Sequence, residues 1–261
     1  MALDVEGLWD FADPTESERR FREALAGAEG DDALILKTQI ARTLGLRGRH
    51  DEAHATLDAV ELELASAPPE VHVRYQLERG RTLRSSGTPA GAKKCFEAAV
   101  RLATEHRLEF LAGDGLHMVA LVQDSPEGQL EWSRATADYA RAAHDENARR
   151  WEATALHNAG VALNELGRHG EALVAFQEAL ARFEAAGRPA DVQTGRWMVA
   201  NTMRRLSRLD EALQMQLALE RDLDAAGETD PYVYEELAEL FTALGDETKA
   251  RHYRARCAET D

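Results

Sequence analysis

Two histidines four residues apart form the arrangement in this chain that most resembles a metal site. His50 and His54 are the ends of the sequence HDEAH. Side chains four residues apart share one face of a helix, and paired histidines at this spacing bind zinc in metallopeptidases, where a glutamate after the first histidine is the general base. Here Asp51 stands in place of that glutamate, and His50 falls in a turn. We therefore expect no metal site at this position.

Other patterns that support catalysis are also missing from the sequence. There is no GxSxG sequence and no glycine-rich phosphate-binding loop, and the two cysteines, Cys95 and Cys257, are far apart and form no CxxC pair. No group of residues assembles a nucleophile with a base and an orienting partner. We therefore expect a protein that is not an enzyme, holds no cofactor and keeps two free thiols in a reducing compartment.

The charge balance argues against two classes of partner. The 261 residues include 31 Lys and Arg against 47 Asp and Glu, a net charge of −16. This charge opposes attraction to nucleic acid or to an anionic membrane surface. No apolar stretch is long enough to span a bilayer, and the N-terminus MALDVEGLWDFAD lacks the basic start and apolar core of a secretory signal. We expect a cytoplasmic protein that binds neither nucleic acid nor membrane.

Composition and periodicity predict a helical fold. Ala, Leu, Glu and Arg are abundant, Val and Ile are sparse, and no strand-like alternation is present. Small residues recur near the middle of predicted helices, at intervals of 39, 40, 40, 40 and 38: Ala41, Gly80, Ala120, Gly160, Ala200 and Ala238. A second column follows twelve residues later: Ala53, Ala92, Trp132, Ala172, Ala212 and Ala250. Such a period predicts an all-α solenoid of stacked helix–turn–helix repeats.

The clearest copy of the repeat, Ala153 to Ala186, resembles a known family. It contains Leu156-x2-Ala159-Gly160-x2-Leu163, followed by Ala172-x3-Phe176. This pattern resembles the tetratricopeptide repeat (TPR), whose usual period is about 34 residues. The period near 40 resembles the longer repeats of kinesin light chains and of bacterial peptide-sensing regulators. The resemblance implies a right-handed superhelix.

We expect one solenoid over residues 1–261, with a capping segment and six repeats. The predicted boundaries are 1–30 for the N-terminal segment and its helix, then about 31–68, 69–106, 107–146, 147–188, 189–229 and 230–261. In the third repeat, strict spacing places Trp132 where alanine is expected. We favour the alternative register Ala135-x3-Tyr139-x2-Ala142, because a tryptophan would force the helix pair apart.

The family resemblance also implies where a partner would bind. In TPR proteins the first helix of each repeat lines the concave face. Transferred to this sequence, that rule selects Thr38, Arg42, Arg74, Leu77, Arg81, Arg84, His117, Leu121, Asp124, His157, Val161, Asn164, Trp197, Asn201, Arg204, Arg205, Tyr232, Glu235 and Glu239. Its six arginines favour an acidic partner, because guanidinium groups pair with carboxylates. Alternatively, charges such as those near Glu78 and Arg79 form pairs along a solvated helix face.

Asparagines and a tryptophan complete the predicted site. An asparagine amide both donates and accepts, and the long-repeat relatives use asparagines at matching places to hold a peptide backbone. The resemblance assigns that role locally to Asn158 and Asn201. Trp197 is predicted to be an aromatic anchor, with packing between repeats as the alternative. The predicted binding set is Arg42, Arg74, Arg81, Arg84, His117, His157, Asn158, Asn164, Trp197, Asn201, Arg204 and Arg205.

The N-terminal segment carries five apolar residues: Leu3, Val5, Leu8, Trp9 and Phe11. They either cover the end of the solenoid or place Trp9 and Phe11 in the groove as an internal ligand. The sequence therefore predicts a non-catalytic module that binds a peptide or protein segment in its concave groove. The alternatives are a self-associating structural protein and a regulatory sensor of a small peptide. The polar last helix, with Lys249 and Arg256, favours a monomer over a homodimer.

Overall fold

The computed structural model describes residues 3–259, and the regular structure in this range is helical. This confirms the all-α prediction. The chain divides into two compact units. Unit 1 comprises Met1–Asp124 and Asp138–Trp151, and unit 2 comprises Ser125–Ala137 and Glu152–Asp261.

Unit 1 contains a 3-10 turn at Glu6–Leu8, and from α1 to α6 each helix packs on the next. Its complete helices are α1 (Pro14–Leu25), α2 (Gly30–Leu46), α3 (His50–Glu61), α4 (Pro69–Ser85), α5 (Pro89–Glu105) and α6 (Glu109–Ala120). It also contains the end of α7 (Pro126–Ala142) and the short α8 (Glu146–Arg149). The first helices of successive repeats, α2, α4 and α6, contact one another. This packing brings their polar side chains together.

Unit 2 has the same alternation of first and second helices. Its helices are α9 (Trp151–Glu165, from Glu152 onward), α10 (His169–Ala185), α11 (Pro189–Arg205), α12 (Leu209–Ala226), α13 (Pro231–Ala243) and α14 (Glu247–Ala258). The first helices α11 and α13 are in contact. Asp230 accepts from the Tyr232 amide and Asp246 from the Lys249 amide, so these two side chains cap α13 and α14.

The two predicted columns of small residues hold the helix pairs together. Ala41, Ala200 and Ala238 are buried in first helices, and Ala53, Ala172 and Ala212 are buried in second helices. At Gly80, a Cβ atom would lie 2.5 Å from the Phe96 ring, and at Gly160 it would lie 2.7 Å from the Phe176 ring. The glycines therefore let an aromatic ring of the second helix rest on the backbone of the first.

The preferred register of the third repeat is wrong. Ala135 and Ala142 are exposed in α7, and Trp132 is only half-buried. The buried positions of this helix include Ser133, Ala137 and Ala140, which have the spacing of Ala172, Phe176 and Ala179 in α10. Ser133 takes the place of the small residue, one position after the strict register. A serine is small enough for this place, so one extra residue in the preceding turn is sufficient.

Within residues 3–259, no helix combines the length and the apolar character that crossing a bilayer requires.

Candidate partner-binding site

The polar residues of the first helices occupy two recurring positions. Counted from the small central residue of each repeat, the position one residue later holds Arg42, Arg81 and Asn201. The position two residues earlier holds Gln39, Glu78, Asn158 and Glu236. Arg42 in unit 1 and Asn201 in unit 2 each reach the earlier position of the next repeat, at Glu78 and Glu236. We call these contacts a ladder. In unit 1, Arg81 extends the ladder to Asp114 on the following first helix.

In unit 1 the ladder joins α2, α4 and α6 through alternating charges. Arg42 Nη1 lies 3.9 Å from Glu78 Oε1, which also accepts from Arg81 Nη1 at 2.6 Å. Arg81 Nη2 donates to Asp114 on α6. Both carboxylates are deeply buried, with Glu78 2% and Asp114 5% exposed. The arginines therefore connect adjacent repeats, which removes much of their capacity to attract an acidic partner.

Burial and these charges shift the pKa values in unit 1. Burial alone would raise the pKa of Asp114, but Arg81 and Arg42 hold it below its ordinary value. Burial lowers the pKa of His117 to about 4, and Arg81, Arg84 and Arg42 act in the same direction against the opposing effect of Asp114. Burial, followed by the Arg81 charge, also lowers the pKa of Arg42. The cluster is therefore a network of ionised side chains beside a neutral imidazole.

The other predicted residues of unit 1 lie around this network. Arg74 donates to Glu70 in its own helix at 2.9 Å. The His117 ring stacks on Trp151, with 5.1 Å between centroids. Arg84 is exposed, and in the described part of the chain it has no ion pair. Arg84 is therefore the predicted arginine in unit 1 that keeps an uncompensated charge.

In unit 2 the same two positions form a second ladder between α11 and α13. Asn201 Nδ2 donates to Glu236 Oε2 at 2.7 Å. Arg204 donates through Nε to Glu236 Oε1 at 2.6 Å, a bond that raises the Arg204 pKa. Arg205 is exposed and donates through Nε to Asn201 Oδ1 at 3.0 Å. The Asn201 amide thus already has a partner on each side.

An aromatic pair lies on the same two helices. Trp197 Nε1 donates to the Tyr232 carbonyl at 2.9 Å, and the two rings meet edge to face with centroids 6.3 Å apart. The Tyr232 side of this pair faces solvent, since Tyr232 is 65% exposed. An exposed aromatic ring supported by a second ring is typical of residues that contribute strongly to binding.

Some predicted groove residues point inward. Thr38 and Leu77 are buried, and Thr38 Oγ1 donates to the Ile35 carbonyl at 2.6 Å. Asn164 is also buried, and its Nδ2 donates to Thr202 Oγ1 at 2.8 Å. Its Oδ1 lies 2.9 Å from His169 Nδ1. These residues hold helices together, because a first helix packs on several neighbouring helices and only part of its surface remains exposed.

His157 was also predicted to face a partner, and it faces its own repeat instead. Its ring lies 5.4 Å from the Phe176 centroid and 6.4 Å from the Phe183 centroid. Its Nδ1 is buried without a hydrogen-bond partner in the described structure. Burial lowers the His157 pKa against a smaller opposing effect of Asp191. Its neighbour Asn158 is half-buried on α9.

Sequence reasoning missed the carboxylates that pair with the predicted residues. Glu78 follows Arg42 by 36 positions, and Glu236 follows Asn201 by 35. Both intervals are a few residues less than one repeat, which is the offset between the two ladder positions. This signal was present in the sequence, but it becomes visible only when charges are compared across repeats.

The histidines first considered as metal ligands have other partners. His54 Nδ1 lies 3.0 Å from Arg79 Nη1, and His50 Nδ1 lies 3.4 Å from Ser85 Oγ. Over residues 3–259, no group of three or more His, Cys, Asp or Glu side chains has an arrangement that would hold a metal ion.

Three solved structures illustrate the similarity of the fold. A signal-transduction ATPase with a TPR sensor from Pyrococcus horikoshii is 11% identical, with a TM-score of 0.75 over 95% of this chain and 39% of that one. TPR-like repeats of a kinesin light chain from Podospora anserina are 15% identical, with a TM-score of 0.59 over 78% and 100%. NprR in complex with its cognate peptide NprX is 16% identical, with a TM-score of 0.58 over 100% and 79%. The chain thus spans well under half of the Pyrococcus protein.

Sequence comparison identifies one repeat directly. No curated protein matches the chain in sequence. The family model of the tetratricopeptide repeat matches residues 153–186, the stretch that carries the clearest periodicity. The helix pairing, the small-residue columns and the similar structures agree with that match. The chain contains a tetratricopeptide repeat and has the all-α, TPR-like solenoid fold of that repeat family.

Proposed function

We propose that this chain is a non-catalytic interaction module that binds a peptide or protein segment on its first helices. The main contact surface in this proposal is the α11–α13 surface, formed by Trp197, Tyr232, Arg204 and Arg205. The supporting observation is the exposed Tyr232 ring, which lies beside Trp197 and on the helix adjacent to Arg205. An apolar side chain of the partner packs on the rings, and a carbonyl or carboxylate accepts from the Arg205 guanidinium.

The hydrogen bonds of the α11–α13 surface define its polar chemistry. Arg205 uses Nε to bond Asn201, which leaves its two Nη groups available to a partner within the described structure. Asn201 already bonds both Arg205 and Glu236, so it clamps a peptide backbone only if one of these bonds opens. Arg205 is therefore the main polar contact, and Asn201 holds it in position.

The charges of this surface favour a neutral or mixed segment over a strongly acidic one. Arg204 donates to Glu236, and Glu239 Oε2 lies 3.9 Å from Arg204 Nη1. The neighbouring Glu235 is exposed. These carboxylates balance the arginines on which the expectation of an acidic partner depended. The peptide-bound structure of NprR, a protein of similar fold, supports the choice of a peptide as the ligand class.

Selection from a random peptide library tests this proposal. The wild-type protein should enrich peptides that contain an apolar or aromatic residue. The W197A/Y232A variant should bind these peptides at least about tenfold more weakly, because central aromatic residues commonly contribute about 2 kcal/mol or more to binding. Isothermal titration calorimetry with a selected peptide measures the affinity.

The control is V174A, which removes an exposed apolar side chain from the second helix α10. We expect it to bind the selected peptide as the wild type does. Thermal melts followed by circular dichroism show whether each variant is folded. Wild-type affinity in a folded W197A/Y232A protein would exclude the α11–α13 surface as the binding site.

A further inference from the structure

The N-terminal segment places two aromatic rings against the first helix of the first repeat. Trp9 and Phe11 are stacked, with centroids 4.7 Å apart and planes 1° from parallel. The Arg42 guanidinium lies 5.1 Å from the Trp9 ring centroid and 5.3 Å from that of Phe11. Trp9 Nε1 donates to Gln39 Oε1 at 3.1 Å. Arg42 thus contacts the aromatic pair through cation–π interactions, and Gln39 contacts it through a hydrogen bond.

Gln39 and Arg42 occupy the two ladder positions that are already defined on the first helices. In unit 2 the same positions are held by Glu236 and Asn201, beside the proposed peptide contacts. The indole N–H of Trp9 contacts Gln39, as the Asn201 amide contacts Glu236 in unit 2. The segment therefore contacts both ladder positions of α2.

After the 3-10 turn at Glu6–Leu8, the backbone of the segment is extended at Trp9. Trp9 has φ −79° and ψ 135°, which is extended. Residues two apart on an extended chain project to the same side, which is why Trp9 and Phe11 stack and meet Arg42 together. Phe11 is nevertheless 64% exposed. The Phe11 ring is thus held mainly by Arg42 and by the Trp9 ring, without a pocket of its own.

Other contacts attach the segment to α1 on its opposite side. The Trp9 ring meets Phe21 edge to face at 5.1 Å. The Asp10 amide donates to Ser17 Oγ at 2.7 Å, and Ser17 Oγ donates back to the Asp10 carbonyl at 2.8 Å. These contacts hold the segment on α1, whereas Gln39 and Arg42 contact the aromatic pair from α2. An equivalent segment from another molecule would contact Gln39 and Arg42 without the contacts to Phe21 and Ser17.

We propose that Gln39 and Arg42 form a binding site for extended segments with two aromatic side chains two residues apart, and that the chain's own Trp9 and Phe11 fill it. The indole N–H is recognised by the Gln39 carbonyl oxygen, and the two ring faces are recognised by the Arg42 guanidinium. A second segment of this type competes with the N-terminal segment for the same two residues. The site involves residues different from those of the α11–α13 surface and does not depend on it.

The test uses the full-length chain and a synthetic peptide of its own residues 3–13, LDVEGLWDFAD, labelled with fluorescein. In the W9A/F11A variant the internal rings are absent, so the peptide should bind in trans and raise the fluorescence anisotropy. The wild type should bind it at least about tenfold more weakly, because its own segment competes at a high effective concentration. Adding R42A to W9A/F11A should abolish the binding.

Several controls separate a binding site from a structural cap. The F11A variant removes only an exposed ring, so it should remain folded and bind the peptide more tightly than the wild type does. L62A removes an apolar side chain that is 87% exposed elsewhere in unit 1 and should behave as the wild type. A peptide with alanine in place of both aromatic residues should not bind any variant. Absence of binding to folded W9A/F11A and F11A proteins, or binding that R42A leaves unchanged, would overturn the proposal.

Discussion

At the scale of single residues, the arginines predicted to bind a partner mainly bind the protein itself. Arg81 shows this most clearly, because its guanidinium joins Glu78 of its own helix to Asp114 of the next first helix. The sequence shows an arginine at this position and places it on the side of α4 that was predicted to face a partner. Its partner was not predictable, since Asp114 lies 33 positions away and pairs with Arg81 only after two helices have stacked.

Loss of one partner in this network should be costly. We expect R81A to lower the free energy of unfolding by about 3–5 kcal/mol, because it leaves the buried carboxylates of Asp114 and Glu78 without their main counter-charge. Urea unfolding followed by circular dichroism measures this change. The double variant R81A/D114A should lose less than the sum of the single variants, because the two side chains interact.

The matched control is an exposed pair on unit 2. Arg168 and Glu171 lie 2.6 Å apart, with side chains 41% and 54% exposed. We expect R168A to change the free energy of unfolding by less than about 1 kcal/mol, because solvent screens this pair. Equal effects of R81A and R168A on the free energy of unfolding would show that burial of the ladder does not determine its contribution to stability.

At the scale of helices, the sequence predicted the pairing well and one register poorly. Five of the six predicted helix pairs have a small residue at each predicted contact. The spacing of these residues was therefore enough to predict which positions of the paired helices meet. In α7 this pattern is broken by Trp132, and the small residue in its place is Ser133, which is polar. A hydrophobicity pattern does not detect a buried serine. The register became clear only from the burial of Ser133, Ala137 and Ala140.

The glycines of α4 and α9 allow a direct test of the helix contact. Glycine to alanine usually stabilises the interior of a helix by about 1 kcal/mol. We expect G80A and G160A to destabilise the protein by about 1–3 kcal/mol instead, because the new methyl groups would overlap the Phe96 and Phe176 rings. G170A is the control, since a Cβ there meets nothing within 4 Å. It should leave stability unchanged or raise it, as measured by the shift in Tm.

At the scale of the whole molecule, net charge and local charge give different expectations for a partner. The chain carries −16 overall, yet the predicted concave surface contains six arginines. In the described residues, four of these arginines, Arg42, Arg74, Arg81 and Arg204, have carboxylate partners. The sequence shows the arginines but not their partners. The prediction from the sequence therefore overestimated the positive charge of the first helices.

This compensation predicts a weak salt dependence of binding. For a peptide selected on the α11–α13 surface, we expect the dissociation constant to change by less than about threefold between about 50 mM and about 500 mM NaCl. Contacts with the Trp197 and Tyr232 rings are insensitive to salt, whereas attraction between uncompensated exposed charges is strongly screened over this range. Calorimetric titration at several salt concentrations measures the effect. A loss of affinity of more than about tenfold would mean that Arg205 and its neighbours act as free positive charges, and that the partner is acidic after all.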